Sequence, residues 1–347
     1  MIEINNSPYR TSQNYVVNGV FVDENDIKAN ISNFDGFSQK TASECKFLSD
    51  FDTKTTQIIA EKLEKQIENE ANFKKQIEIS DSNFYEFDFD LDKGDFVGGI
   101  KFLVKSGVKS QIVLKFHSTK KSYANHTIKF VCEKDSSLDV AVVFDFEKKS
   151  SCFVCFDCKT EENAKLNVFV ADFGCKNSIQ NFYSKIIGRN SECNLKTAYL
   201  GDNENLIDML YIQDLYGEDC RADIDAVGAL GGNARKSFRS VISFEKGCKK
   251  SFGSENEFCL LLSDEAKSKA VPLLLCGEED VDGKHSTSIG RADEKQLFYI
   301  MSRGVDKTEA LKLIVKAKFN KFVESLFDEN LKEFIYEKID KRLEDGE

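Results

Sequence analysis

A single histidine in a polar stretch and two cysteines upstream of it are the side chains of this chain best suited to metal chemistry. His285 stands in VDGKHSTSIG, just past the strand-like LLLCGEEDV, and is one of three histidines. Imidazole is a common metal ligand and titrates near neutral pH. In a polar loop with no apolar face to bury it, the ring is either a ligand or a hydrogen-bonded structural residue. Cys259 and Cys276 lie on consecutive strand-like segments, EFCLLLSD and PLLLCGEE. Thiolate and imidazole together suit iron or zinc, so convergence of both thiols on His285 would make a site. The leucines flanking each cysteine favour burial in the core instead.

Cys152, Cys155 and Cys158 are spaced C-x2-C-x2-C, as in an iron–sulfur ligand run. Such a run needs a fourth cysteine and a loop that wraps the cluster, and the next cysteine is Cys175. On a strand, Cys152 and Cys158 face one way and Cys155 the other, so the three read as strand residues. No phosphate-binding loop, dinucleotide fingerprint or nucleophile elbow is present. The glycine-rich stretch Gly228 to Gly232 lacks the lysine and helix of a phosphate cradle and reads as a turn. Nucleotide chemistry therefore has to come from a partner.

The elements that position these residues follow from hydrophobic period. From Phe51 to Ile79, the apolar residues Ile58, Ile59, Leu63 and Ile67 share one helical face. From about Phe84 to Val281 the period is two. Six segments starting at Lys109, Ser137, Lys165, Asn194, Arg221 and Lys250 stack with starts 28, 28, 29, 27 and 29 residues apart. Their second, fourth and sixth residues tend to be apolar or small, as in Leu138, Val140 and Val142, although the last segment fits poorly. A period of this length with strands and no helices suggests a β-solenoid, with a β-sandwich as the competing architecture. After Gly290 helical period returns. Asp293 and Asp306 are expected N-caps, Gly304 a left-handed helix end, and Ala310 to Leu326 a broad apolar face that must pack on something.

Composition narrows the function. The 347 residues carry a net charge of −11, which argues against a general nucleic-acid binder. The best candidate for a local basic patch, the run Ala234 to Arg239, is expected to be a solvated strand face. No segment approaches the roughly 18 apolar residues of a membrane span, and the N-terminus has no signal pattern. The expectation is a cytoplasmic protein whose eleven cysteines are mostly reduced. With 29 phenylalanines and no tryptophan, the core should be rich in phenylalanine.

The stretch from Val281 to Gly304 resembles the SufB/SufD family, which assembles iron–sulfur clusters. The matching residues are His285-Ser286-Thr287-Ser288-Ile289-Gly290, then Asp293-Glu294-Lys295-Gln296-Leu297-Phe298-Tyr299, then Ser302-Arg303-Gly304. The resemblance is close from about Tyr211 to Phe327 and weak before that. It implies a mainly β protein built on a right-handed parallel β-helix. The expected division is an N-terminal partly helical segment (1–80), a β-helix core (81–289) and a C-terminal helical docking domain (290–347).

The same resemblance implies a non-enzymatic assembly subunit. Its partners would be a SufC-type ABC ATPase and a SufB-like subunit, or a second copy of itself, with no nucleic acid and no membrane. The ATPase would dock on Gln296, Leu297, Phe298, Tyr299, Arg303 and Gly304, with Leu311 and Ile314 on the next helix. No cofactor would be intrinsic; a transient iron–sulfur cluster or iron would form at a subunit interface, with His285, Cys259 and Cys276 as the candidate residues. Family members of the SufB type carry a cysteine where this chain has Glu257, and a glutamate where it has Ser286. The chain therefore looks SufD-like, and a SufB-like scaffold acting as a homodimer in a minimal SufB–SufC system is the alternative. A β-helix enzyme acting on polysaccharide is the reading of a different class. Asp and Arg lining a groove on one outer face would favour it.

Overall fold

The computed structural model describes residues 1–9, 17–41, 45–48 and 51–344. From Phe73 onward, strands alternate between two sheets. One sheet contains Phe84–Asp90, Lys109–His117, Ser137–Asp145, Lys165–Asp172, Glu192–Gly201, Arg221–Leu230, Ser251–Leu261 and Val281–Arg291. The other contains Phe73–Ile79, Phe96–Val104, Tyr123–Cys132, Ser151–Thr160, Asn177–Ile186, Leu206–Leu215, Arg235–Phe244 and Lys267–Cys276. Neighbours within each set are parallel. The result is a parallel β-helix of about eight two-stranded coils.

The expected stacking holds at four of the six segment starts. Ser137 pairs with both Lys109 and Lys165. Arg221 then pairs with Glu192 on one side and Phe252 on the other. Asn194 instead pairs with Asn167, and Lys250 lies just outside its strand. Each offset is two residues, so inward and outward faces are unchanged.

What sets the coil period is a turn residue. Gly107, Asp135, Asn163, Asn190, Asp219 and Lys250 all have positive φ, between 56° and 75°. Each donates its backbone N–H to a carbonyl one coil further on, as Asp135 does to Glu162 and Asn163 to Arg189. Glycine, asparagine and aspartate are the residues that enter this conformation at least cost. Asn163 adds side-chain rungs, donating to Asp135 at 2.8 Å and accepting from Asn190 at 3.1 Å. Asn163→Val is expected to lower stability by about 1–2 kcal/mol, because a β-branched residue is poorly suited to that turn. Urea denaturation checks this, and a cost below a few tenths of a kcal/mol would refute it.

Inside the coils, phenylalanine dominates. Phe89 stacks on Phe116 at 4.2 Å and Phe102 on Phe130 at 5.6 Å between ring centroids. The segment expected to be helical up to Ile79 ends sooner: helix α1 is Glu61–Glu70, and Phe73–Ile79 is already the first parallel strand. The inward spacing of Phe73, Ile77 and Ile79 outweighs helical propensity there. The N-terminal residues lie along the outside of the second sheet. Ile4, Val22, Ile27, Ile59, Leu63 and Ile67 bury Val97, Tyr123, Phe153 and Ile179. Phe37–Gln39 and Lys46–Leu48 pair antiparallel with the first coil and close that end.

At the other end come helices α2 (Glu294–Met301), α3 (Lys307–Glu324) and α4 (Glu329–Glu344). Asp293 and Asp306 cap α2 and α3, and Gly304 has φ 90°, all as expected. The apolar face of α3 and α4 packs on the side of the first sheet, where Ile314, Phe319, Phe322 and Ile335 meet Ala141, Phe169, Ala198 and Leu260. Lys338 and Arg342 pair with Asp145, and Lys321 with Asp225.

Candidate functional site

The last coil has no successor, so its two strands are open edges. Val281–Arg291 is one of them, and it places His285 on a strand and not in the loop expected for it. The alternation of serine, threonine and lysine hid that strand, because an end coil need not be apolar. Val281 packs on the interior cluster, and a Cβ on Gly283 would touch Leu274 at 3.1 Å. Period two therefore turns His285, Thr287 and Ile289 to the inward side as well. His285 is nevertheless exposed, since nothing covers the final coil.

Two glutamates lie directly beneath this face. Glu255 pairs in register with His285, and Glu257 with Thr287. Both are inward and almost fully buried, at 1% and 3% exposure. Their surroundings differ sharply. Glu257 forms an ion pair with Lys236 and accepts a hydrogen bond from Tyr199 Oη at 2.8 Å. Tyr199 reaches it across a coil because the intervening position is Gly228, where a Cβ would come within 2.1 Å of the Tyr199 ring. Gly228 is thus a packing glycine within a strand. The turn expected there begins at Gly231, and Gly232 has φ 50°. Glu255 has no such partner: neither carboxylate oxygen makes a hydrogen bond. The Ser240 hydroxyl and the backbone near Ile242 and Leu273 approach without full hydrogen-bond geometry, and burial pushes the carboxyl up to about 8.

The cysteines do not converge on His285. Cys259 is buried, faces inward and pairs with Ile289, four residues beyond the histidine. At about 3.3 Å per residue that is roughly 13 Å along the strand. Burial pushes its thiol up, against the pull of the Lys236 ammonium. Cys276 lies at the opposite end of its strand, paired with Phe244, and is exposed, against the burial its leucines suggested. Among the described residues, no group of three or more His, Cys, Asp or Glu side chains is placed to hold a metal ion. Cys152 and Cys158 face the interior and Cys155 the underside of α1, which divides that run as the strand period requires.

Of the basic run only Arg235 is solvated. Lys236 is inside the coils, and Arg239 is buried in an ion pair with Asp208 beneath the N-terminal segment. Asp208 also accepts from Asn5 at 2.6 Å. Each buried cation answers a buried acid, Lys236 one on the opposite sheet and Arg239 one on the neighbouring strand, which one-dimensional charge patterning does not reveal.

The outer face of the first sheet does carry a groove of about 620 Å³ lined by Asp139, Asp223, Asp225 and Arg221. Its acids are taken up by their neighbours: Arg221 pairs with Asp223, Lys321 with Asp225, and Asn167 donates to Asp139 at 2.6 Å. No pair of free carboxylates is left for acid–base chemistry on a sugar.

Beyond the open coil, α2 presents Phe298 and Tyr299, 75% and 60% exposed. Arg303 donates to Tyr299 Oη at 2.9 Å, and Gln296 and Gly304 are exposed beside them. Leu297 and Leu311 are half-buried. Ile314, expected on the docking surface, is 3% exposed and packs on the coils; Leu313, at 46%, is the exposed large apolar residue of α3. Helical period alone placed the stripe correctly but not which side the coils cover.

A parallel β-helix with an open end coil and an exposed aromatic helix offers surfaces on which other chains can pack. Residues 99–318 match the family model described as the SUF system FeS cluster assembly, SufBD core domain, and the chain belongs to that family. It is 30% identical to the iron–sulfur cluster assembly protein SufD of Bacillus subtilis over 148 residues, 43% of this chain and 34% of the relative. A SufBD family protein of Pyrococcus horikoshii is 33% identical over 158 residues, 44% of this chain and 32% of the relative. SufD of Escherichia coli is 31% identical over 117 residues, 34% of this chain and 28% of the relative. The matched region thus spans about a third of the length of each relative. Among the described residues, no helix is long and apolar enough to cross a membrane.

Proposed function

We propose that this chain is a SufD-like subunit of an iron–sulfur cluster assembly complex. Its open end coil pairs with a SufB-like subunit, His285 contributes to the cluster site between them, and α2 docks a SufC-type ATPase. Nucleotide hydrolysis belongs to that partner, and the iron is cargo passing through the complex. The observation that carries this reading is the arrangement at one end of the solenoid. Two unpaired strand edges, a histidine on the inward face and an exposed aromatic helix lie together there. Open edges expose backbone donors and acceptors that a second β-helix can satisfy. The exposed thiol of Cys276, on the other open strand of that end coil, supports a second reading, a SufB-like homodimer in a minimal system.

Anaerobic co-purification with the SufC-type ATPase, with and without a SufB-like subunit, tests this. Iron and sulfide in the three-part complex alone are expected. A cluster formed without the SufB-like subunit would favour the homodimer, and failure to bind the ATPase would refute the docking role. Phe298→Asp is expected to weaken ATPase binding at least tenfold while leaving the melting temperature unchanged, since Phe298 contacts mostly solvent in the free chain. Unchanged affinity in a pull-down titration would move the docking surface elsewhere.

A further inference from the structure

We infer that Glu255 is a second iron-binding residue, holding Fe(II) together with His285 at the mouth of the last coil. The inference rests on the proposed role of His285 and adds a partner to it. Glu255 and His285 are direct neighbours in a parallel pair and point to the same side. Side chains so placed are separated by about 5 Å at their bases, within reach of one metal ion.

The two buried glutamates make the argument sharper. Glu257 has Lys236 as its counter-ion. Glu255, two residues earlier on the same face, has no counter-ion, and the Ser240 hydroxyl and nearby backbone complete no hydrogen bond to it; among the described residues it is the carboxyl with both oxygens buried and no hydrogen bond of full geometry. An orphaned buried carboxyl opposes folding, and such costs persist mainly where function requires them. A divalent cation would supply what is missing. Carboxylate and imidazole are a ligand pair suited to Fe(II). Each donates a lone pair, and water or a donor from a partner subunit fills the remaining positions. With two protein ligands the site is open, which suits transfer better than storage.

The test is anaerobic titration of the full chain with ferrous iron alone, followed calorimetrically and by Mössbauer spectroscopy. Glu255→Gln, Glu255→Leu and His285→Ala are compared with the unsubstituted protein. The expected result is that all three weaken iron binding by about tenfold to a hundredfold, while Glu255→Leu melts at the same or a higher temperature without iron. Normal binding by Glu255→Gln with impaired binding by His285→Ala would overturn the inference and leave the role of His285 standing. Binding unaffected by either change, or no binding at all, would overturn it too; the co-purification experiment then decides the role of His285 separately. A Glu255→Leu protein that melts well below the unsubstituted one would assign the carboxyl a structural role instead.

Discussion

Acidification from pH 6.5 to pH 3 is expected to remove on the order of 4–5 kcal/mol of stability through His126 alone. His126→Phe is expected to abolish that part of the pH dependence. The ring faces the interior from Tyr123–Cys132, with centroids 5.1 Å from Phe96 and 4.8 Å from Phe116. Neither ring nitrogen has a hydrogen-bond partner, and burial pushes its pKa down to about 3. The unfolded chain takes up a proton near the ordinary histidine value of about 6.5. The folded chain refuses it until about pH 3. Between those values the unfolded state binds more protons, so stability falls as pH falls, and above pH 6.5 the contribution is constant.

The carboxyls of Asp157, Asp172, Asp208 and Asp214, raised by burial, act in the opposite sense in both proteins. The informative quantity is therefore the difference between them. Urea midpoints at pH 7, 6, 5 and 4 should diverge in favour of His126→Phe as pH falls. Parallel curves would show that His126 is solvated or partnered after all.

Lys236→Met is expected to cost about 3–5 kcal/mol, because it leaves Glu257 as an uncompensated buried charge. Both side chains of the pair are fully buried. Lys236→Met combined with Glu257→Leu should recover most of that loss, since a well-packed apolar pair replaces a desolvated ionic one. Recovery stays incomplete while Tyr199 lacks its acceptor. Denaturation of the two single variants and the double variant measures the coupling. A single-variant cost below about 1 kcal/mol would mean that water reaches the pair.

Much of the fold was legible in local pattern. Leu138, Val140 and Val142 face inward because alternation alone specifies the face of a strand. Asp293, Gly304 and Asp306 mark helix ends because capping depends on residues within one turn. The site was legible only in part. His285 stood out by type, yet its strand was read as a loop because the end coil lacks the apolar residues that mark interior coils. The poor fit of the segment from Lys250 came from Ser251 and Glu255, polar residues at its second and sixth positions, where other segments carry apolar ones.

Taken alone, the sequence determined the coil period, the inward set and the helical tail, and its Val281 to Gly304 stretch pointed to the family. These depend on residues close in the chain: the left-handed turn residues at Asp135, Asn163 and Asn190, the period-two strands and the helix caps. Tertiary structure decided which charges are answered. Lys236 meets Glu257, Arg239 meets Asp208, and Glu255 has no counter-ion. Parity tells which face a side chain takes. Its counter-ion comes from another strand or the opposite sheet, and only the stacking of coils brings the two within the few ångströms over which a buried charge is compensated.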